Sequence, residues 1–170
     1  FNLLQQVEQK LFARLKKMDK AFKRAEGLLE NWMKQHHDKD CYPPTIINIT
    51  DGEYNGVSDA EMQQLANQLK SMFTNDGNVL LFNIHIVPGH IESVVFPASI
   101  GELNRNGYGE KLYNMSSLLP LNYNEQIRAI FGDKQPDIRY HAMGVNAGME
   151  RLVKMMKIGT LSSMFVNNNL

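Results

Sequence analysis

A single cysteine, Cys41, stands in the 170 residues, so no internal disulfide can form and no cysteine pair has the spacing of a zinc site or a redox motif. The setting this predicts is a reducing one, the cytoplasm. Long hydrophobic runs are also missing. The longest apolar stretch, Val79 to Val87, is interrupted by Asn83 and His85 and falls far short of the roughly 20 residues that span a bilayer, so no membrane span is expected. Net charge is absent as well: 18 basic residues balance 18 acidic ones. No overall field draws the chain to nucleic acid, an anionic membrane or acidic substrates. The start, Phe1-Asn2-Leu3-Leu4, has neither an initiator methionine nor the basic-then-apolar layout of a signal peptide. The expectation is a chain that begins partway along a longer polypeptide. There is no internal repeat, and Asn167-Asn168-Asn169 is too short to count as low complexity.

What is present is enough apolar material for one domain over residues 1–170, at 43% hydrophobic content. Leu4, Val7, Leu11, Leu15, Met18, Phe22, Ala25, Leu29 and Trp32 recur every three or four residues. That spacing predicts one long amphipathic helix or two in series, closed by Pro43-Pro44. Thr45 to Thr50 is short, β-branched and bounded by prolines and by Asp51-Gly52, the pattern of a buried parallel strand. Ser58-Asp59-Ala60-Glu61 is a capping box that opens a helix with Met62, Leu65, Leu69 and Met72 or Phe73 as its inward stripe. The turn cluster Asn75-Asp76-Gly77-Asn78 ends it, and Val79 to Val87 supplies a second buried strand. Strand, helix, strand in this order is a crossover unit that sets the two strands parallel. Later signals are weaker: a short strand at Val94-Val95-Phe96, and short helices over Glu110 to Met115 and Asn124 to Phe131. The end sharpens again. Tyr140 to Val145 feeds a helix with Asn146 as N-cap, Met149, Leu152, Val153 and Met156 as its stripe and Gly159 as its stop. The fold class these elements predict is α/β, a Rossmann-like, mostly parallel sheet flanked by helices.

Open α/β sheets hold their ligands at the carboxyl ends of parallel strands, which makes Asp51, in Thr50-Asp51-Gly52-Glu53, the leading site candidate. A carboxylate there can hold a hard cation such as magnesium, with hydroxyls and waters completing an octahedron. Asp51-Gly52 fits a plain turn after a strand equally well.

The segment Tyr42-Pro43-Pro44-Thr45-Ile46-Ile47-Asn48-Ile49-Thr50-Asp51-Gly52-Glu53 resembles the fourth-strand segment of bacterial von Willebrand factor A domains. Met18 to Phe22 through Glu30-Asn31-Trp32 is similar to the helix that precedes it in that family, and Asp76 to Ile86 to the next strand. Met115 to Pro120 and the final helix ending Ile158-Gly159-Thr160 are similar to an apparently intracellular bacterial subgroup. The resemblance covers roughly Met18 to Thr160, and the joint order of its segments is more specific than any one of them. It implies the later part of such a domain, incomplete at its N-terminus. The family's metal-ion-dependent adhesion site combines an Asp-x-Ser-x-Ser strand end, a threonine from a later loop and the aspartate of Thr-Asp-Gly. Only the last maps here, as Asp51, which the resemblance implies is a ligand for Mg2+ or Mn2+. No Asp-x-Ser-x-Ser occurs in the chain and no threonine precedes Met18, so that first half is missing, diverged or supplied by another chain.

Other residues of chemical interest have plainer readings beside them. His85 falls inside a strand, where a hydrogen-bonded core histidine outweighs a ligand, and its spacing from His90 across Pro88-Gly89 suits no helical pair. His36-His37 beside Asp38 and Asp40 reads as a solvated helix end. Cys41 lacks a neighbouring base, and Ser116-Ser117 lacks the frame of a hydrolase elbow. Among Met143, Met149, Met155 and Met156, core packing outweighs an adaptable partner surface for most. The reading that results is a non-enzymatic protein-binding module, with recognition of a protein partner coupled to a divalent ion at Asp51 and no catalytic residue. The resemblance to the intracellular subgroup implies a signalling or stress-associated assembly, an analogy of fold. The alternatives are a receiver-like phosphoacceptor switch, which needs an acidic pair and a lysine at strand ends, and a small α/β hydrolase.

Overall fold

The structure, a computed structural model, describes residues 17–36, 41–51, 53–89, 92–103 and 107–159. The expected helical repeat from Leu4 to Leu15, and His37, Asp38, Asp40, Gly52 and His90, lie outside these residues. Helix α1 spans Met18–His36 and leads into strand β1, Thr45–Thr50. Helix α2, Asp59–Ser71, follows, then a small antiparallel hairpin of β2, Phe73–Thr74, and β3, Gly77–Asn78. Strand β4 is Leu80–His85 and strand β5 is Val94–Val95. Helices α3, Gly107–Met115, and α4, Asn124–Phe131, precede strand β6, Met143–Val145, and helix α5, Met149–Gly159. No helix among the described residues is long and apolar enough to cross a membrane.

The main sheet has four strands in the order β1-β4-β6-β5. β1, β4 and β6 are parallel, and β5 alone runs antiparallel to β6. The chain is therefore α/β with a mostly parallel sheet flanked by helices, compatible with a Rossmann-like fold. The crossover read from the sequence is present: β1 pairs directly with β4, from Thr45 opposite Leu80 to Thr50 opposite His85, with α2 between them in the chain. All six residues of β4 are buried, because consecutive side chains enter opposite layers. Leu81 packs with α1, α2 and α3 through Met18, Phe22, Met62, Ala66, Leu69 and Leu112. Leu80, Phe82 and Ile84 pack with α4 and α5 through Ile127, Met155 and Ile158.

Local chemistry accounts for the helix starts. At α2 the Ser58 hydroxyl accepts from the Glu61 N–H while the Glu61 carboxylate accepts from the Ser58 N–H, so two otherwise orphaned donors are satisfied reciprocally. Its inward stripe is Met62, Ala66 and Leu69, with Leu65 and Met72 only partly buried. Phe73 is 71% exposed, because the helix ends at Ser71 and the chain turns there into the β2–β3 hairpin.

Three expectations need correction. β1 was expected to be buried, yet it is half-buried and its Ile49 is 49% exposed, because among the described residues no strand lies beyond it. Asn146 does not cap α5. It takes a left-handed φ of 45° and its side chain accepts from the Val87 N–H at 2.7 Å, while Gly148 supplies the carbonyl that receives the Leu152 N–H. Of the stripe expected to face inward on α5, only Leu152 packs against the core; Met149 is 75%, Val153 55% and Met156 41% exposed. Met155, Ile158 and Gly159 are the buried residues, because the helix is seated on the sheet at two close contacts. A Cβ on Gly144 of β6 would stand 2.8 Å from Met155 Sδ, and one on Gly159 would stand 3.1 Å from the Phe82 ring. The four methionines thus divide evenly: Met143 and Met155 are core, Met149 and Met156 are surface.

Truncation at the α2–sheet contact tests the layer assignment. Leu69→Ala should cost about 2 to 5 kcal/mol by leaving a cavity between helix and sheet, and Leu65→Ala distinctly less. Denaturant midpoints check both, and equal losses would show that α2 is rotated from the orientation described.

Candidate functional site

The carboxyl ends of β1, β4 and β6 meet at Asp51, His85 and Asn146. Asp51 is exposed at the first residue beyond β1. Its carboxylate Oδ1 accepts the Glu53 N–H at 3.1 Å, the local turn that aspartate forms with the backbone two residues on. Its main-chain carbonyl is held separately, by His85 Nε2 at 2.8 Å. A carbonyl can only accept, so the His85 proton sits on Nε2. Asn146 completes the tie: its N–H donates to the His85 carbonyl at 2.9 Å while its side chain receives Val87. The left-handed backbone at Asn146, tolerated by asparagine more readily than by most residues, is what lets one residue clamp both sides of the β4 terminus.

His85 is thus a hydrogen-bonded core histidine, as its strand position implied. It is 2% exposed, and burial lowers its proton affinity below the usual histidine range, against smaller raising effects from its bond to Asp51 and the Asp51 charge. His141, stacked on Tyr113 and bonded through Nδ1 to the Tyr113 carbonyl, is lowered for the same first reason.

Under this end of the sheet runs a polar seam that the sequence alone did not reveal. Asn48 and Asn83 lie opposite each other in the β1–β4 register, and Asn48 Nδ2 donates to Asn83 Oδ1 at 2.8 Å. Asn83 Nδ2 in turn donates to Ser116 Oγ at 3.0 Å and to the Leu112 carbonyl. Ser116 Oγ donates to Leu112 O at 2.7 Å. The adjacent Ser117 hydroxyl accepts the Leu81 N–H, and the Ser117 N–H donates to the Leu81 carbonyl. Ser117 thereby pairs with the lower half of β4, where β6 does not reach. Both hydroxyls are buried and committed to the fold. The available signal was two asparagines, each third from the end of its strand and each followed by isoleucine.

A second group missed in the sequence borders the loop after Asp51. Tyr54 donates to Asp59 Oδ1, Lys111 pairs with Asp59 Oδ2 at 3.0 Å, and the Lys111 ammonium lies over the Tyr54 and Tyr108 rings. Burial, and then the bond to Asp59, raises the Tyr54 hydroxyl well above the usual phenol range, so it remains a donor. Asp59 is lowered, first by the Tyr54 bond.

Of the sequence-chosen residues, the structure brings Asp51 and His85 together but through the Asp51 backbone, leaving the carboxylate outward. His36 and Cys41 lie at the opposite end of β1, and Ser116-Ser117 sit in the seam. Among the described residues no group of three or more His, Cys, Asp or Glu stands where it can hold a metal ion. No family model, no curated protein and no solved structure matches this chain.

The buried histidines set a pH dependence. An unfolded imidazole titrates near 6.5 and the folded ones lower, so below about pH 6.5 the unfolded chain binds more protons and stability falls with falling pH. The urea midpoint should drop between about pH 7 and pH 5.5. His85→Gln should flatten part of that drop and leave the share from His141. A wild-type midpoint constant over this range would show that both rings protonate in place.

Proposed function

We propose that this chain is a protein-binding module of von Willebrand factor A type, in which a partner strand is recognised beside β1 and a divalent ion, Mg2+ or Mn2+, is held between that strand and Asp51. The observation that carries the reading is the character of β1. It stands at the end of the described sheet, half-buried, without a charge or a proline between Thr45 and Thr50, although exposed strand edges are ordinarily guarded by one or the other. Pro44 and Thr50 direct their carbonyls to β4, so by the alternation of a ladder the backbone groups of Ile47 and Ile49 point away from it. A strand laid there would end beside Asp51, whose carboxylate supplies one hard oxygen ligand of the six an octahedral ion takes. The resemblance noted in the sequence supplies the same arrangement, an Asp-x-Ser-x-Ser strand end and a threonine completing the site. Tyr54, Asp59 and Lys111 hold the loop that follows Asp51, so the carboxylate is presented from a supported turn.

The hydrolase alternative is weakened by the committed hydroxyls of Ser116 and Ser117. The phosphoacceptor alternative lacks, at the described strand ends, the second acid and the lysine it needs: β4 ends in His85 and β6 in Val145.

One carboxylate makes a weak site. Titration calorimetry on the 170-residue chain should give magnesium or manganese binding no tighter than about 1 mM, or about 4 kcal/mol. A polypeptide that adds a strand ending Asp-x-Ser-x-Ser upstream should bind at least about tenfold more tightly, equivalent to 1.4 kcal/mol, and lose that gain in Asp51→Ala. Micromolar binding by the short chain, or no gain in the longer one, sinks the reading.

A further inference from the structure

At the opposite end of β1 from Asp51, the last turn of α1, the approach to β1 and the β2–β3 hairpin enclose a cavity of about 220 Å3 whose walls include Trp32, Met33, His36, Cys41 and Phe73. Its side chains differ in kind from those around Asp51: a thioether, an imidazole and a thiol, set among two aromatic rings. Met33 and His36 are three residues apart on α1 and so share a helix face. The His36 ring is fixed in one tautomer, because Nδ1 lies 2.7 Å from the Trp32 carbonyl, which can only accept a proton. The Nε2 lone pair is left as the coordinating position. Metal-binding histidines are held in this way, the second ring nitrogen donating to a main-chain carbonyl. Stacking on Trp32 at 4.4 Å and 16° fixes the plane of the ring. Cys41 is half-buried, with Sγ 3.8 Å from the His36 main-chain carbonyl, which ties the thiol to the end of α1, and it lines the same cavity as the His36 and Met33 side chains.

We propose that this cavity is a binding site for copper(I), with the Cys41 thiolate, His36 Nε2 and the Met33 thioether as its ligands. The donor chemistry selects the ion: thiolate and thioether sulfur favour soft copper(I), imidazole accepts it, and hard magnesium or calcium prefers oxygen. Cys41 gives its proton to solvent on binding, and the thiolate charge cancels that of the ion. A neutral complex is the form that apolar walls such as Phe73 and Trp32 accept at least desolvation cost. No electron is transferred.

Trp32 is the only tryptophan of the chain, so its fluorescence reports on this cavity alone. Copper(I), delivered anaerobically from a chromogenic chelator that competes for it, should load one equivalent and quench that fluorescence. Cys41→Ser should weaken binding by about 100-fold or more and His36→Gln by about tenfold or more, the range seen when a metal site loses a ligand or its support. Met33→Leu, which conserves volume and should leave folding intact, should weaken it by a similar tenfold. If His36→Gln and Met33→Leu both bind within twofold of the parent, the sulfur of Cys41 is reacting by itself and the site does not exist. Binding without quenching of Trp32 would overturn the proposal in the same way, since the ion would then lie elsewhere.

Discussion

The rest of the fold depends on the parallel pairing of β1 with β4, and that pairing is fixed by two amides as much as by apolar packing. A buried carboxamide without a partner costs on the order of 1 to 3 kcal/mol. Asn83 is fully buried and finds its partners only when Asn48 stands opposite it and Ser116 lies beneath. A slip of one residue would turn Asn48 to the other face and leave Asn83 short of its acceptor role. The same slip would remove Asp51 from the His85 ring. Register, seam and the position of the outward carboxylate are therefore one choice.

Where local chemistry and tertiary demand agree, the sequence was readable. The capping box at Ser58, the turn cluster before Val79 and the β-branched run from Thr45 place α2, β4 and β1 because each acts within a few residues of itself. The short helices, expected on weaker signals over Glu110 to Met115 and Asn124 to Phe131, are present, the first beginning three residues earlier at Gly107. What escaped was settled by contacts distant in the chain. Two overlapping stripes run along α5 at acceptable spacing, the expected one through Met149, Leu152, Val153 and Met156, the other through Leu152, Met155 and Gly159. Periodicity cannot rank them. The bare backbone of Gly144, more than ten residues away in sequence from Met155, decides it. Asn146 looked like a cap because asparagine caps helices; its side chain was claimed instead by the end of β4.

The candidate site was legible only in outline. Asp51 could be placed at a strand end from its flanks, and it is there. That His85 would reach its backbone, or that Tyr54, Asp59 and Lys111 would brace the loop after it, required the β1–β4 register and the approach of α3. Cys41 read as isolated because its neighbours His36 and Met33 belong to the end of a helix, and Phe73 appeared to be the tail of α2 until the chain turned into its hairpin.

The seating of α5 has a mechanical consequence. Its two close contacts, Met155 on Gly144 and Gly159 on Phe82, are four residues apart, about 6 Å along the helix axis, and both lie in its second half. The first half, from Met149, extends roughly 9 Å beyond the nearer contact. That half is held more lightly, by partly buried Leu152 against the core and by the hydrogen bond from Arg151 to Ser93 Oγ. A displacement at its start passes through Ala147 and Gly148 to Asn146, the residue that holds the tips of β4 and β6 together.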